Sequence, residues 1–196
     1  MSAPVSPAPR PGVALEIARA WSLLLHPFAV FVVLALVAAW RLSPQAMARA
    51  GLGMAVVVAV VWVFVWRRWR SGRWSTVDAS RPQERPWLYA LSLGLAGGYW
   101  LWLGGRASPL SAGVLAVVGM LCVAGLANRW IKLSLHMASL AFVALLSLWL
   151  YRPLGIALLL ALPLLAWSRL RLGRHSPAEV AGGALLGAAF AAVTLL

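Results

Sequence analysis

The sequence predicts an all-α fold, a polytopic bundle of about seven transmembrane helices. The chain has 196 residues, of which 63% are hydrophobic and only four are acidic, so it lacks the charged surface of a soluble domain. A hydrocarbon core about 30 Å thick needs roughly 20 apolar residues per crossing helix, and irregular backbone facing lipid would leave polar groups unpaired. The predicted spans are residues 21–40, 50–66, 87–103, 110–127, 134–150, 154–168 and 178–196.

Three regions follow one another along the chain. Residues 1–19 are rich in Pro and small residues and are interpreted as a polar leader with a short helix. We expect no cleavable signal here, because the first apolar run begins late and is about as long as a full span. Residues 20–72 contain two spans, and residues 73–196 contain the other five.

The seventeen basic residues give a formal charge of +13. They lie between apolar runs and do not form a basic stripe with aromatic residues interleaved. This distribution argues against nucleic-acid binding. The partner they imply is the anionic bilayer surface or an anionic substrate. The single cysteine, Cys122, excludes an internal disulfide and a cysteine-based metal site, and its apolar surroundings favour a small packing residue.

Most of the charge lies in three connectors, residues 67–86, 128–133 and 169–177. Seven alternating crossings place these connectors and the N-terminus on one side of the membrane. The positive-inside rule makes that side cytoplasmic. We therefore expect a multi-pass protein of a bacterial inner (cell) membrane.

Tryptophan and glycine positions fit this topology. Many of the twelve Trp residues lie near span ends, as in an aromatic belt: Trp21, Trp40, Trp66, Trp69, Trp74, Trp87, Trp130, Trp149 and Trp167. Two sets of small residues predict close helix packing: Gly94, Gly97 and Gly98 in the third span, and Gly182, Gly183 and Gly187 in the last.

The strongest functional pattern runs from Ser168 to Glu179, directly before the last span. It contains Ser-Arg, five residues, His, three residues and an acid. A neutral imidazole such as His175 is a competent nucleophile toward phosphorus, and an acid that accepts its other N–H fixes the tautomer. The guanidinium of Arg169 can grip phosphate oxygens through its planar fork.

This segment resembles the third signature of the type 2 phosphatidic acid phosphatases, relatives of the vanadium haloperoxidases, which reads Ser-Arg-x5-His-x3-Asp. The resemblance implies that His175 is the nucleophile and forms a phosphohistidine, that Glu179 orients it, and that Ser168 and Arg169 bind phosphate. This chain has Glu where the family has Asp. Ser176 and Glu179 also form a capping-box pattern, so Glu179 either caps the last span or orients His175.

The second signature of the family is Pro-Ser-Gly-His, of which this chain keeps Ser134 and His136. The resemblance implies that Ser134 binds phosphate and that His136 is the general acid for the leaving oxygen. Leu135 replaces the glycine. Taken alone, a histidine near a helix start is more often an interfacial residue.

The first signature is Lys-x6-Arg-Pro, and Arg85 followed by Pro matches its end. Asp78 stands where the family has Lys, and Lys132 is expected to supply the missing ammonium. Arg85, Arg81 and Lys132 are the predicted phosphate-binding cations of this group, with Asp78 supporting them. The alternative is an ordinary basic loop.

Together, the three segments occur in the family's order and cover residues 73–196, whereas the first two spans have no specific match. They predict a phosphatase-like core of the C-terminal helices. The implied enzyme is a metal-independent, cofactor-free phosphatase of a lipid phosphate or isoprenyl diphosphate. The alternative is a non-catalytic membrane protein that binds an anionic lipid head group, as a degenerate relative, carrier or scaffold.

His26, followed by Pro27, is interpreted as a packing or kink feature with no chemistry. A membrane prenyltransferase is disfavoured, because its metal-bound diphosphate needs clustered carboxylates and the four acids here are scattered. The sequence leaves open which lipid is the substrate and which oligomer forms.

Overall fold

The computed structural model describes residues 12–74 and 85–196, apart from the side chain of Arg85. Within these ranges all regular structure is helical and no strand occurs, which confirms the all-α class. The α-helices of the described residues are α1 (Val13–Leu24), α2 (Pro27–Leu42), α3 (Met47–Arg70), α4 (Arg85–Trp102), α5 (Ser111–Ala127), α6 (Leu135–Leu150), α7 (Arg152–Arg171) and α8 (Pro177–Leu195).

Four helical stretches of the described chain are long and apolar enough to cross a membrane, which marks a membrane protein. They are Val13–Leu42, Pro44–Arg70, Arg152–Arg171 and Pro177–Leu195. Helices α5 and α6 are apolar but shorter, with 17 and 16 residues. The count of seven spans therefore stays a prediction.

The sixth predicted span is longer than expected. Helix α7 has 20 residues, because Pro153 lies in its first turn, where the missing N–H is not needed, and Pro163 is tolerated inside it.

The first predicted span is two helices that meet at a break. Pro27 restricts the residue before it to extended backbone, and His26 accordingly has φ −64° and ψ 142°. The Nδ1 atom of His26 accepts a hydrogen bond from the backbone N–H of Phe28 at 3.3 Å and caps α2. Helix α1 begins at Val13, so helix occupies the part of the predicted leader that the structure describes.

Helix α6 is the centre of the bundle and packs against α2, α7 and α8. Its contact with α8 brings the two backbones together: a Cβ atom at Gly183 would collide with the carbonyl oxygen of Ser134, and one at Gly187 with that of Ala138. The predicted packing role of these glycines is confirmed. The same prediction for the third span is wrong, since among the described residues nothing lies within 4 Å of a Cβ at Gly94, Gly97 or Gly98.

Three histidines meet at one end of the bundle. His26 precedes α2, His136 lies in the first turn of α6, and His175 lies just before α8. The rings of His26 and His136 are edge to face with centroids 5.0 Å apart. The backbone N–H of Ser134 donates to the carbonyl oxygen of Glu179 at 3.0 Å, which joins the starts of α6 and α8. We call this the histidine end.

The charged connectors emerge at the histidine end. At the opposite end, the ring of Trp40 in α2 meets that of Tyr151 at the start of α7, with centroids 6.0 Å apart. Helix α3 returns from there, and the guanidinium of Arg68 near its end lies 5.3 Å from the ring of Trp87 at the start of α4. The described parts of the three connectors thus lie at one end, as alternating crossings predict.

Two surface predictions need correction. Most predicted belt tryptophans are exposed, but Trp74 is only 4% exposed and packs edge-on against Phe64, with ring centroids 5.6 Å apart. Trp74 follows the end of α3 at Ser71 and folds back onto that helix. Cys122 is exposed on α5 and is not the packing residue expected, because its helix face is turned away from the core.

Candidate active site

A cavity of about 480 Å³ begins at the histidine end. Four residues that line it there come from three separate parts of the chain: His26, His136, Arg169 and His175. This volume lies in the range of about 300–1,000 Å³ that is typical of small-molecule sites. The two histidines that the sequence selected therefore share one cavity.

The turn between α7 and α8 places His175. Gly173 has φ +62°, a left-handed conformation that suits glycine, and the N–H groups of Gly173 and Arg174 donate to the carbonyls of Leu170 and Arg169. This Schellman-type ending stops α7 and reverses the chain. His175 follows immediately and is buried, with 8% of the residue exposed.

The hydrogen bonds of His175 determine its tautomer. Its Nδ1 atom lies 2.9 Å from Oε2 of Glu179 and 3.2 Å from the carbonyl oxygen of Lys132. Both partners are acceptors, so Nδ1 carries the hydrogen, and in the neutral ring the lone pair is then on Nε2. This is the protonation pattern that a nucleophilic imidazole requires.

Glu179 performs both roles that the sequence left open. Its Oε2 atom accepts from the backbone N–H of Ser176 at 3.1 Å, while its own N–H donates to the Ser176 hydroxyl at 3.3 Å, which completes a capping box. The same Oε2 atom is the partner of His175 Nδ1. The cap therefore holds the carboxylate in position for the imidazole.

Arg169 presents a buried positive charge at the cavity. The residue is 4% exposed, and its guanidinium donates to the hydroxyl of Ser22 in α1 at 2.7 Å. A guanidinium keeps its charge when buried, which makes this part of the cavity attractive to an anion.

Ser168, predicted to bind phosphate, is fully buried, and its hydroxyl donates to the carbonyl oxygen of Ala18 at 2.6 Å. It ties α7 to α1 and is not among the cavity-lining residues.

The second segment contributes one side chain to the cavity, that of His136. Ser134 is fully buried, and its hydroxyl caps α6 by accepting from the N–H of Met137 at 3.5 Å. Lys132 reaches His175 through its carbonyl oxygen and is not among the cavity-lining residues. The structure thus brings His136 to the cavity but not the hydroxyl of Ser134.

The first segment lies largely outside the described residues. Asp78 and Arg81 fall between residues 74 and 85, and the side chain of Arg85 is also outside the description. Their predicted roles at the phosphate stay predictions.

His26 is the site residue that the sequence analysis missed. It lines the cavity and touches His136, although 110 positions separate them in the chain. Its place before Pro27 signals a helix start. No local pattern, however, shows that this start lies beside α6.

Comparisons with known proteins add no family to this geometry. No family model, curated protein or solved structure matches the chain.

Proposed function

We propose that this chain is a membrane-embedded, metal-independent phosphatase of a lipid phosphate or isoprenyl diphosphate, with His175 as its nucleophile. The observation that supports this most is the contact between His175 Nδ1 and Glu179 at the wall of a cavity that Arg169 and His136 also line. An oriented imidazole, a fixed cation and a second imidazole are the groups that phosphoryl transfer through a phosphohistidine needs.

The first step is attack of Nε2 of His175 on phosphorus. The P–N bond forms as the bond from phosphorus to the leaving oxygen breaks, and protonated His136 gives its proton to that oxygen. The leaving oxygen belongs to the lipid alcohol in a monophosphate and to the remaining phosphate in a diphosphate. Glu179 stabilises the positive charge that develops on the ring of His175. In the second step, water attacks phosphorus, His136 accepts a proton from it, and inorganic phosphate leaves as His175 is regenerated.

Of the proposed phosphate-binding groups, Arg169 is the one that lines the cavity in the described part of the chain. Its charge, together with the N-terminus of α8, favours the equatorial phosphate oxygens as negative charge builds up on them. Arg85, Arg81 and Lys132 are proposed to add positive charge from the neighbouring connectors. Ser134 and Ser168 hold the helices that carry the site.

The membrane placement belongs to the same proposal. We infer seven crossings, a bacterial inner membrane and a cytoplasmic histidine end, because the basic residues gather in the connectors at that end. The histidine end of the cavity then lies at head-group depth, within reach of a lipid phosphate.

Non-catalytic binding of an anionic head group is the second candidate function. The observation that favours it is the burial of Ser134 and Ser168, whose hydroxyls are engaged in a helix cap and a helix–helix contact. A site with fewer phosphate ligands can bind a lipid phosphate without activating it.

The decisive experiment uses the purified full chain in detergent with a chelator, a panel of lipid phosphates, and phosphate release as the readout. We expect release by the wild type and, with His175→Ala, a loss of about 10³-fold or more. Val56→Ala, on the exposed face of α3 and outside the cavity lining, is the control and should retain activity. Unchanged release by His175→Ala would exclude it as the nucleophile, and binding without release by the wild type would favour the second candidate.

A further inference from the structure

The cavity continues from the histidine end along the bundle. Phe28 and Leu42, near the two ends of α2, both line it. At the helical rise per residue, this stretch of α2 is about 20 Å long. Leu88 in α4 and Leu103, directly after the end of that helix, mark a similar length. The cavity thus extends from the histidine end to the opposite end of the helices.

Its chemistry changes along this length. Among the described lining residues, Arg169 is the charged one and lies at the histidine end. Away from that end the lining is mainly aliphatic and aromatic and includes Leu34, Ala38, Leu42, Met54, Val57 and Leu103. The cavity therefore complements an amphiphile, with an anionic group at the histidine end and an apolar tail beyond it.

The dimensions suit a lipid tail. A cavity of about 480 Å³ that runs for about 20 Å along the helices has room for an extended hydrocarbon tail lying along it.

We propose that the cavity holds the hydrocarbon tail of its ligand lengthwise, and that the substrates are phosphate or diphosphate esters of long-chain lipids whose tail enters this cavity. The cleavage of these esters rests on the proposed function, whereas the fit of the chain does not. Helices α2 and α3, which carry none of the phosphatase-like segments, supply much of the wall. They make the chamber for the tail, while α6, α7 and α8 carry the chemistry.

Gly113 offers a way to shorten this chamber. It lies in the first turn of α5, lines the cavity, and has nothing within 4 Å of the position a Cβ would take. Gly113→Phe therefore places a ring in open space near the far end, remote from His175. Gly94→Phe is the matched control, because Gly94 is also helical with nothing within 4 Å but does not line the cavity.

The experiment measures binding of octyl and hexadecyl phosphonate to the purified full chain by calorimetry. Their P–C bond is not cleaved by the proposed reaction. We expect Gly113→Phe to weaken hexadecyl phosphonate about tenfold and to leave octyl phosphonate nearly unchanged. Gly94→Phe should bind both as the wild type does. If Gly113→Phe fails to fold, Gly113→Leu should show a smaller effect in the same direction.

The chamber would be refuted if Gly113→Phe bound both phosphonates as tightly as the wild type does. It would also be refuted if Gly113→Phe weakened the binding of both phosphonates equally. Hydrolysis of hexadecyl phosphate is measured in parallel, so that the two proposals fail separately. Length-dependent binding without hydrolysis would refute the phosphatase and keep the chamber. Hydrolysis that depends neither on tail length nor on Gly113→Phe would refute the chamber and keep the phosphatase.

Discussion

Helices α3 and α6 are both apolar, yet they differ in what surrounds them. Helix α6 has 16 residues, eleven of them buried, whereas α3 has 24 residues with Ala50, Gly53 and Val61 buried. Hydropathy cannot separate the two, because lipid and a protein core are equally apolar solvents. The difference shows that the bundle has a tightly packed half around α6 and a half around α3 that leaves most of its surface to lipid.

The two halves suit the two tasks that we propose. A catalytic site needs groups held within about 0.5 Å of their working positions. The packed half carries Arg169 on α7, Glu179 on α8 and His175 in the turn between them, and its helices are joined by hydrogen bonds and backbone contacts. A chamber for a hydrocarbon chain needs only an apolar wall, which α3 and its neighbours provide. Three predictions test this contrast.

The largest effect is expected where the α6 and α8 backbones touch. Gly187→Leu places a side chain against the carbonyl oxygen of Ala138, so the helices must separate, at a cost of about 3 kcal/mol or more. Unfolding in detergent by denaturant measures this. Gly94→Leu on α4 is the control and should not destabilise the protein, because the new side chain meets nothing within 4 Å of its Cβ and Leu favours a helix more than Gly does. Equal effects of the two substitutions would contradict the contrast.

The second effect separates catalysis from capping at Glu179. Glu179→Gln removes the charge that stabilises the imidazolium of His175, and we expect kcat to fall about 10²-fold. Ser176→Ala removes the cap hydroxyl but leaves the carboxylate, so it should cost about 1 kcal/mol of stability with kcat largely retained. If Glu179→Gln lowered stability and left kcat unchanged, its role would be that of a cap.

The smallest effect concerns the contact between α7 and α1. Ser168→Ala removes the hydrogen bond to the Ala18 carbonyl and should cost about 1 kcal/mol, as for other hydrogen bonds between membrane helices. Val56→Ala on the exposed face of α3 is the comparison and should cost less. Thermal unfolding of both variants measures the difference. A larger loss for Val56→Ala would mean that α3 is packed as tightly as α7.

Part of the candidate site could be predicted because its signals are local. The capping box of Ser176 and Glu179 lies within one helical turn, and the spacing of His175 and Glu179 puts the carboxylate beside the imidazole. That both roles of Glu179 use one oxygen could not be predicted, because the spacing alone allows either.

Other parts of the site depend on distant contacts. His26 meets His136 only because α2 packs beside α6. Ser168 matches the expected sequence pattern, but its hydroxyl donates a hydrogen bond to the carbonyl oxygen of Ala18 in α1. Gly94 and Gly187 look alike in sequence, and only their neighbours distinguish an open surface from a helix contact.

The sequence by itself determined the all-helical class, most helix boundaries and the local cap that orients His175. These follow from hydropathy, proline positions and interactions within one helical turn, which a chain satisfies without reference to its other segments. The tertiary structure decided which helix is central, which serines are occupied, and that an apolar cavity leads away from the histidine end. Such features arise from the fit between helix surfaces, which no single segment contains.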